Sequence, residues 1–304
     1  MQLESRLRAF AAVARERSFS RAAEALYLSQ PAVSKHVASL EVELGAQLVV
    51  RGRPTTTLTP AGEILADYVL RAEALLANAR RALAAGADGE VGVLALAASG
   101  TPGTYLLPRL LARFHSENPR IDIDFRLATS AGALEVVRAH QVEIAVIGGM
   151  TVPDELDPEP LVEDDIVLVG PASLAGRRLR PKDLQALTWI SREEGSSTRA
   201  AVDATRSMIG LQAVRALELP SWEAVKLAVA DGAGIAAISL FALELELASR
   251  KLVVLEVPRW RLTRTIAIVT ARDTPLTPPA ERFRAVLRET FGTSSAVLRR
   301  EPAG

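Results

Sequence analysis

The stretch that most constrains this chain runs from Leu26 to Gly45, LYLSQPAVSKHVASLEVELG. Val33, Val37, Leu40 and Leu44 recur at spacings of four, three and four, which marks one apolar stripe along a helix. Ser34, Lys35, Ser39 and Glu41 fall on the opposite face, so one side is expected to pack and the other to stay polar. Ser29 is a good N-cap, and Pro31 lies in the first turn, where a missing N–H costs little. Gln30, Ser34 and Lys35 then sit near the start of the exposed face, beside free amides and the positive end of the helix dipole. An amide, a hydroxyl and an ammonium projecting there can reach base edges and phosphates in a major groove. The same pattern also describes an ordinary solvated surface helix, and the segment alone leaves both readings open.

Its surroundings narrow the choice. Leu3, Leu7, Phe10 and Val13 or Ala14 predict a first helix over Gln2 to Arg17. Ser18-Phe19-Ser20 breaks it, and Ser20 is expected to cap a short helix from Arg21 to Tyr27. Two helices joined by a tight turn at Leu28-Ser29 make a helix-turn-helix. Ala46 to Thr59 then predicts a small hairpin whose basic tip, Arg51-Gly52-Arg53-Pro54, would serve as a wing against flanking backbone or minor groove. An ordinary polar hairpin fits that tip equally well.

Thr59-Pro60 starts a long helix that runs without breakers to Ala85. Leu65, Tyr68, Ala72, Leu75, Ala79 and Ala82 repeat at three and four, and Ile64, Val69, Leu76 and Leu83 widen the stripe. At ~1.5 Å per residue this is a rod roughly 40 Å long, expected to bury its stripe against a partner helix. Packing within its own chain is the competing reading. Gly86-Ala87-Asp88-Gly89 reads as a linker.

Composition excludes several kinds of chemistry. The 304 residues include no cysteine, so disulfides, thiolate metal sites and cysteine nucleophiles are absent. The opening MQLESRLRAF carries charges where a secretory leader needs an apolar core, and no run is long enough to span a membrane, so the cytoplasm is the expected location. Net charge is zero overall but uneven. Residues 1–60 hold eight Lys or Arg against five Glu, a surplus of +3 that suits a phosphate backbone.

After Glu90 the pattern changes to alternating strands and helices. Val91–Ala98, Ile121–Leu127 and Glu143–Ile147 read as strands, with helices through Leu106, Leu110 and Phe114 and over Ala131–His140. This βαβαβ run implies a parallel sheet with helices outside. Asp154–Pro160 reads as a crossing into a second lobe with strands at Ile166–Val169, Leu187–Ile190, Ala213–Leu219, Gly234–Ser239 and Leu252–Val257, and helices at Arg199–Met208 and Trp222–Ala230. Thr265–Thr270 and Pro279–Phe291 return to the first lobe, and Gly292–Gly304 is expected to fray.

Two lobes joined by crossings enclose a cleft. Ser99-Gly100-Thr101, Thr129-Ser130 and the segment from Arg192 to Arg199, with Ser196, Ser197 and Thr198, place hydroxyls and free amides before helices, as anion sites do. Arg192 or Arg199 would add a bidentate clamp. Each turn alone is also explained by helix capping. Catalysis finds little support: His36, His115 and His140 are scattered on predicted helices, and no HExxH, nucleophile elbow or P-loop occurs.

Phe10, Ala22-Ala23, Leu26, Ser29-Gln30-Pro31-Ala32-Val33-Ser34, Leu40-Glu41, Leu44-Gly45 and Leu58-Thr59-Pro60-Ala61-Gly62 together resemble the winged helix-turn-helix of the LysR-type transcriptional regulators. Within that family, Ser191–Arg199 and Tyr105-Leu106-Leu107-Pro108 are similar to the branch that includes regulators of sulfur and carbon assimilation. Leu48-Val49 departs from it, since many relatives have Leu-Phe there.

The resemblance implies an α/β fold with an N-terminal winged helix-turn-helix (1–58), a linker and dimerisation helix (59–88) and a two-lobed effector domain like periplasmic binding proteins. Lobe I would span about 89–160 and 266–304, and lobe II about 161–265. It implies no catalytic residue, metal or cofactor. Ser20, Gln30, Pro31, Ser34, Lys35, Arg51 and Arg53 would touch DNA. Ser99, Gly100, Thr101, Thr129, Ser130, Arg192, Ser196, Ser197, Thr198 and Arg199 would line the pocket of a small-molecule effector, an anion being one candidate. The expected partners are a pseudo-palindromic duplex and further copies of the chain, as a homodimer or homotetramer. The expected function is ligand-responsive, sequence-specific regulation of transcription; the alternative is a small-molecule binding protein whose N-terminal module only dimerises.

Overall fold

The computed structural model describes residues 2–50, 56–85, 90–177, 179–194, 196–211 and 216–292. The predicted wing tip with Arg51 and Arg53, the linker Gly86–Gly89 and the tail after Gly292 lie outside the described residues. Two compact units, Met1–Arg80 and Arg81–Gly304, make up the chain.

The first unit begins with helices α1 (Gln2–Glu16), α2 (Phe19–Leu26) and α3 (Gln30–Leu44), followed by a hairpin of β1 (Val49–Val50) and β2 (Thr57–Leu58) and by α4 (Pro60–Ala85). Phe10, Val13, Ala22, Val33, Val37, Leu40, Leu48 and Val49 close its core. Val49, which the resemblance marks as a departure from the family pattern, is buried. Ser29 caps α3 as expected, its Oγ accepting from the Ala32 N–H, and Gly45 ends it at φ +63°, a left-handed turn that glycine adopts without strain.

Three expectations here need correction. Ser18, not Ser20, caps α2: its extended backbone lets Oγ accept from the Arg21 N–H, and the earlier start sets Phe19 against the core. Leu44 ends the predicted stripe 47% exposed, because the last turn of α3 runs past the core. Glu41 is not a solvated surface acid; its Oε1 accepts from the Leu48 and Val49 amides at 2.8 and 3.1 Å and ties the hairpin to α3. Thr59 caps α4 through the Gly62 N–H. A Cβ on Gly62 would lie 2.0 Å from the Leu48 carbonyl oxygen, so only glycine lets α4 approach the hairpin this closely. Along α4, Ile64, Tyr68, Leu76 and Leu83 stay exposed.

The second unit contains β3 (Gly92–Ser99), a π-helical turn at Pro102–Leu106, α5 (Leu107–Glu117), β4 (Ile121–Ala128), α6 (Ser130–Arg138) and β5 (Ile144–Gly148). Then come β6 (Leu156–Pro171), α7 (Pro181–Gln185), β7 (Trp189–Arg192), α8 (Ser197–Met208), β8 (Ala216–Leu219), α9 (Trp222–Ala230), β9 (Ala236–Ser239), α10 (Glu244–Ala248), β10 (Leu252–Val254), β11 (Thr263–Ala271) and α11 (Pro278–Gly292). Strands β4, β3 and β5 are parallel, as the βαβαβ pattern requires. Helices on either face bury Leu94, Leu96, Phe114 and Phe283 on one side and Ala95, Ala97, Val137 and Val269 on the other.

The predicted crossing at Asp154–Pro160 is a strand: β6 runs unbroken through 16 residues. Its first part pairs with β11 from Leu156↔Ala271 to Asp165↔Thr263, and its second part pairs with β9 and β10 in the other lobe. Pro158 and Pro160 are tolerated because β6 is an edge strand in the first lobe, where one side needs no N–H donor. Strands β6 and β11 are therefore the stiff crossings on which both lobes are mounted. His140 lies just past α6 at φ +54° rather than within a helix. Among the described residues, no helix is long and apolar enough to cross a membrane.

Candidate functional site

The front of α3 is open. Gln30, Pro31 and Lys35 are exposed and Ser34 is half-buried, while Val33, Val37 and Leu40 on the other face are fully buried. Ser20, at the first turn of α2, donates to Gln30 Oε1 at 3.4 Å, so the two helices present neighbouring polar groups. Several arginines of this unit are committed: Arg6 pairs with Glu43, Arg17 with Glu63 and Arg21 with Glu16. Lys35 has no acidic partner among the described residues. Its charge is left to solvent or to an anion.

In the second unit the three hydroxyl-bearing turns converge. Ser99, Gly100, Thr101, Thr129, Ser130, Arg192, Ser196, Ser197 and Thr198 line one cavity of about 230 Å³ between the lobes. Thr129 Oγ1 caps α6 by accepting from the Gly132 N–H, and Ser196 Oγ caps α8 by accepting from the Arg199 N–H. Capping therefore uses one hydroxyl per helix and leaves Ser130, Ser197 and Thr198 for other partners. Ser130 Oγ donates to Ser197 Oγ at 3.1 Å, the first lobe meeting the second. Ser99 Oγ accepts from the Gly148 N–H at 3.3 Å.

Arg199 does not reach this cavity. Its Nη1 donates to the Arg192 carbonyl and to Glu218 Oε2 at 3.1 and 2.6 Å, because the first turn of α8 points that side chain towards β8. The guanidinium groups that line the cavity are those of Arg192 and of a residue that sequence reasoning missed, Arg264. Arg264 is 7% exposed, and Nε and Nη2 both lie 2.9 Å from Asp164 Oδ2. Its Nη1 donates to Thr198 Oγ1 at 2.7 Å and its Nη2 to Thr101 Oγ1 at 3.0 Å. One guanidinium thus joins a crossing strand to both lobes. Gly148 makes room for it, since a Cβ there would lie 3.0 Å from Arg264 Cζ.

Asp164 is fully buried and also accepts from Ser239 Oγ at 2.6 Å. Burial pushes its carboxyl above the usual aspartate value, against the opposing pull of the Arg264 charge and the hydrogen bonds. The pair is set by register, Arg264 lying directly opposite Asp164 in the β6–β11 ladder. In the sequence, Asp164 falls just before the predicted strand Ile166–Val169 and Arg264 just before Thr265–Thr270, so no local signal paired them. Arg192 lies at the cavity wall, with its guanidinium 5.4 Å from the Trp222 ring centroid.

These geometries make a donor-rich cleft, and the lineage of the chain accounts for it. Residues 5–63 match the bacterial regulatory helix-turn-helix protein, lysR family, and residues 87–292 match the LysR substrate binding domain. The chain belongs to the LysR family. It is 33% identical to the HTH-type transcriptional regulator CysL of Bacillus subtilis, over 94% of this chain and 96% of that protein. It is 35% identical to a probable RuBisCO transcriptional regulator of Phaeodactylum tricornutum, over 93% of this chain and 95% of that one. A full-length OxyR variant from Pseudomonas aeruginosa shares the fold at TM-score 0.71 and 23% identity, covering 99% of both chains. Full-length CbnR complexed with its target DNA does so at TM-score 0.65 and 22% identity, covering 95% of this chain and 100% of that one. The CcmR regulatory domain of Synechocystis PCC6803, in complex with 2-PG, matches at TM-score 0.61 and 25% identity over 66% of this chain and 97% of that one. This LysR-family chain is a ligand-responsive, DNA-binding transcription regulator and not an enzyme, and its relatives include CysL and probable RuBisCO transcriptional regulators.

Proposed function

We propose that this regulator, working in the cytoplasm, reads a pseudo-palindromic duplex with paired copies of α3 and that a small oxyanion held between the lobes biases how it does so. The observation that carries the reading is the front of α3: Gln30, Pro31 and Lys35 are exposed, with no acidic partner for Lys35 among the described residues, on a helix whose other face is core. Gln30 and Ser34 supply base-edge hydrogen bonds, and Lys35 and Ser20 meet phosphates. Arg51 and Arg53 take the wing's role against the backbone. Pairing of copies is supported by the apolar side chains that α4 leaves exposed, Ile64, Tyr68 and Leu76 among them. A homodimer then sets the half-site spacing, and a homotetramer presents two such pairs.

The oxyanion reading is supported by Arg264, whose donors fix the Thr101 and Thr198 oxygens as acceptors and so turn those hydroxyl hydrogens toward other partners. The 2-PG held by the CcmR domain supports a small-molecule occupant. Selection of tight-binding duplexes from a random pool by the full chain is expected to enrich an inverted repeat. A pool that stays random, or enriches one isolated half-site, contradicts paired reading.

A further inference from the structure

Two carboxylates already answer the two arginines of the cleft, and they differ in how firmly they are held. Asp164 is fully buried and is bonded by Arg264 and by Ser239. No ligand can displace it without stranding a buried charge. Glu193 is different. Its two oxygens take Nε and Nη2 of Arg192 at 2.7 and 2.6 Å, a bidentate fork, yet its side chain is 35% exposed at the cavity wall.

Arg192 stays in place without it. Trp222 lies against the guanidinium, and the side chain is only 16% exposed. Its Nη1 faces the first lobe, 3.6 Å from where a Cβ on Gly100 would lie. The fork that grips Glu193 is the same fork that suits a carboxylate, sulfate or phosphate.

We propose that Glu193 is a built-in competitor: its carboxylate occupies Arg192 when the cleft is empty, and an incoming oxyanion binds by taking its place. This rests on the oxyanion reading given above. Glu193 then sets the threshold concentration at which the regulator responds. It also sets specificity, since only a ligand with two acceptor oxygens in one plane replaces the fork without loss. A neutral ligand, or one with a single acceptor, leaves Arg192 on Glu193 and gains nothing from it.

Calorimetric titration of the full chain with sodium sulfate at constant ionic strength tests this. Glu193→Gln is expected to bind sulfate about fivefold more tightly than the wild type, the upper range for a partly exposed ion pair. Glu194→Gln, which removes an exposed carboxylate one residue further on, is expected to leave affinity unchanged. In an Arg192→Gln background, Glu193→Gln should bring no gain, because the fork it occupies is gone. Equal or weaker binding by Glu193→Gln, or an equal gain from Glu194→Gln, overturns the competitor while leaving the oxyanion reading intact. Absence of sulfate binding by the wild type and by Glu193→Gln alike overturns both.

Discussion

The front of α3 and the interlobe cleft, the two surfaces we propose for DNA and for an oxyanion, treat positive charge in opposite ways. Lys35 is exposed and has no acidic partner among the described residues, whereas Arg264 and Arg192 in the cleft each grip a carboxylate. Solvation explains the difference. An exposed ammonium is stabilised by water until a phosphate arrives, and leaving it unpaired costs little. A buried guanidinium without a counter-charge costs several kcal/mol, so the cleft carries its own acids. An exposed cation of this kind needs no acid of the chain beside it, whereas the buried cations of the cleft are balanced by Asp164 and Glu193.

Breaking the buried pair should have the largest effect. Asp164→Ala leaves Arg264 uncompensated and is expected to destabilise the second unit by about 3–5 kcal/mol. Denaturant unfolding followed by the fluorescence of Trp189, Trp222 and Trp260 would report it. A loss below about 1 kcal/mol would mean that water reaches Arg264 after all. Next comes Thr198→Val, which removes an acceptor from Arg264 Nη1 without changing side-chain shape. It should cost about 1–3 kcal/mol in the same assay, as for a buried donor left unsatisfied.

The surface charge should behave oppositely. Lys35→Ala is expected to change stability by less than about 0.5 kcal/mol. It should weaken binding evenly across duplex sequences and lower the salt slope by about one, seen by fluorescence anisotropy at several salt concentrations. A sequence-dependent loss would move Lys35 from phosphate to base.

The two cleft carboxyls sharpen the comparison with a smaller effect, because they shift in opposite directions. Hydrogen bonding and charge from Arg192 hold Glu193 below the usual glutamate range, while burial holds Asp164 above the usual aspartate range. The Glu193 contribution to stability is present above the ordinary glutamate value and fades as pH falls through its lower native value. For Asp164 the sign reverses: the native state holds its proton more tightly, so stability falls as pH rises from the ordinary value through the raised one. Carboxyl-carbon NMR on acidification should show Asp164 protonating above the ordinary aspartate range and Glu193 below the ordinary glutamate range. An Asp164 that protonates below the ordinary range would mean that the Arg264 charge outweighs burial.

Legibility in the sequence followed contiguity. Helix α3, its Ser29 cap, its Gly45 stop and its polar front sit within one run of the chain, where periodicity and capping act locally. The three hydroxyl turns were visible for the same reason, each being a cap or a helix start. Arg264 and Asp164 were not, since they stand 100 residues apart and meet only through the β6–β11 register. Arg199 looked like a clamp because the turn before it lines the cavity, but helical rotation turns it to Glu218. The β6 strand was hidden by its prolines, which read as a crossing until its edge position is known.

The proposed recognition of DNA depends on side chains at the front of α3 reading base edges. Anisotropy isotherms on the selected inverted repeat and on its single-base variants, at one fixed salt concentration, test this most directly. Gln30→Ala is expected to lose discrimination at one base pair of each half-site, by about 1–3 kcal/mol, while binding the remaining variants as the wild type does. If Gln30→Ala discriminates every variant as well as the wild type does, the front of α3 is not the reading surface.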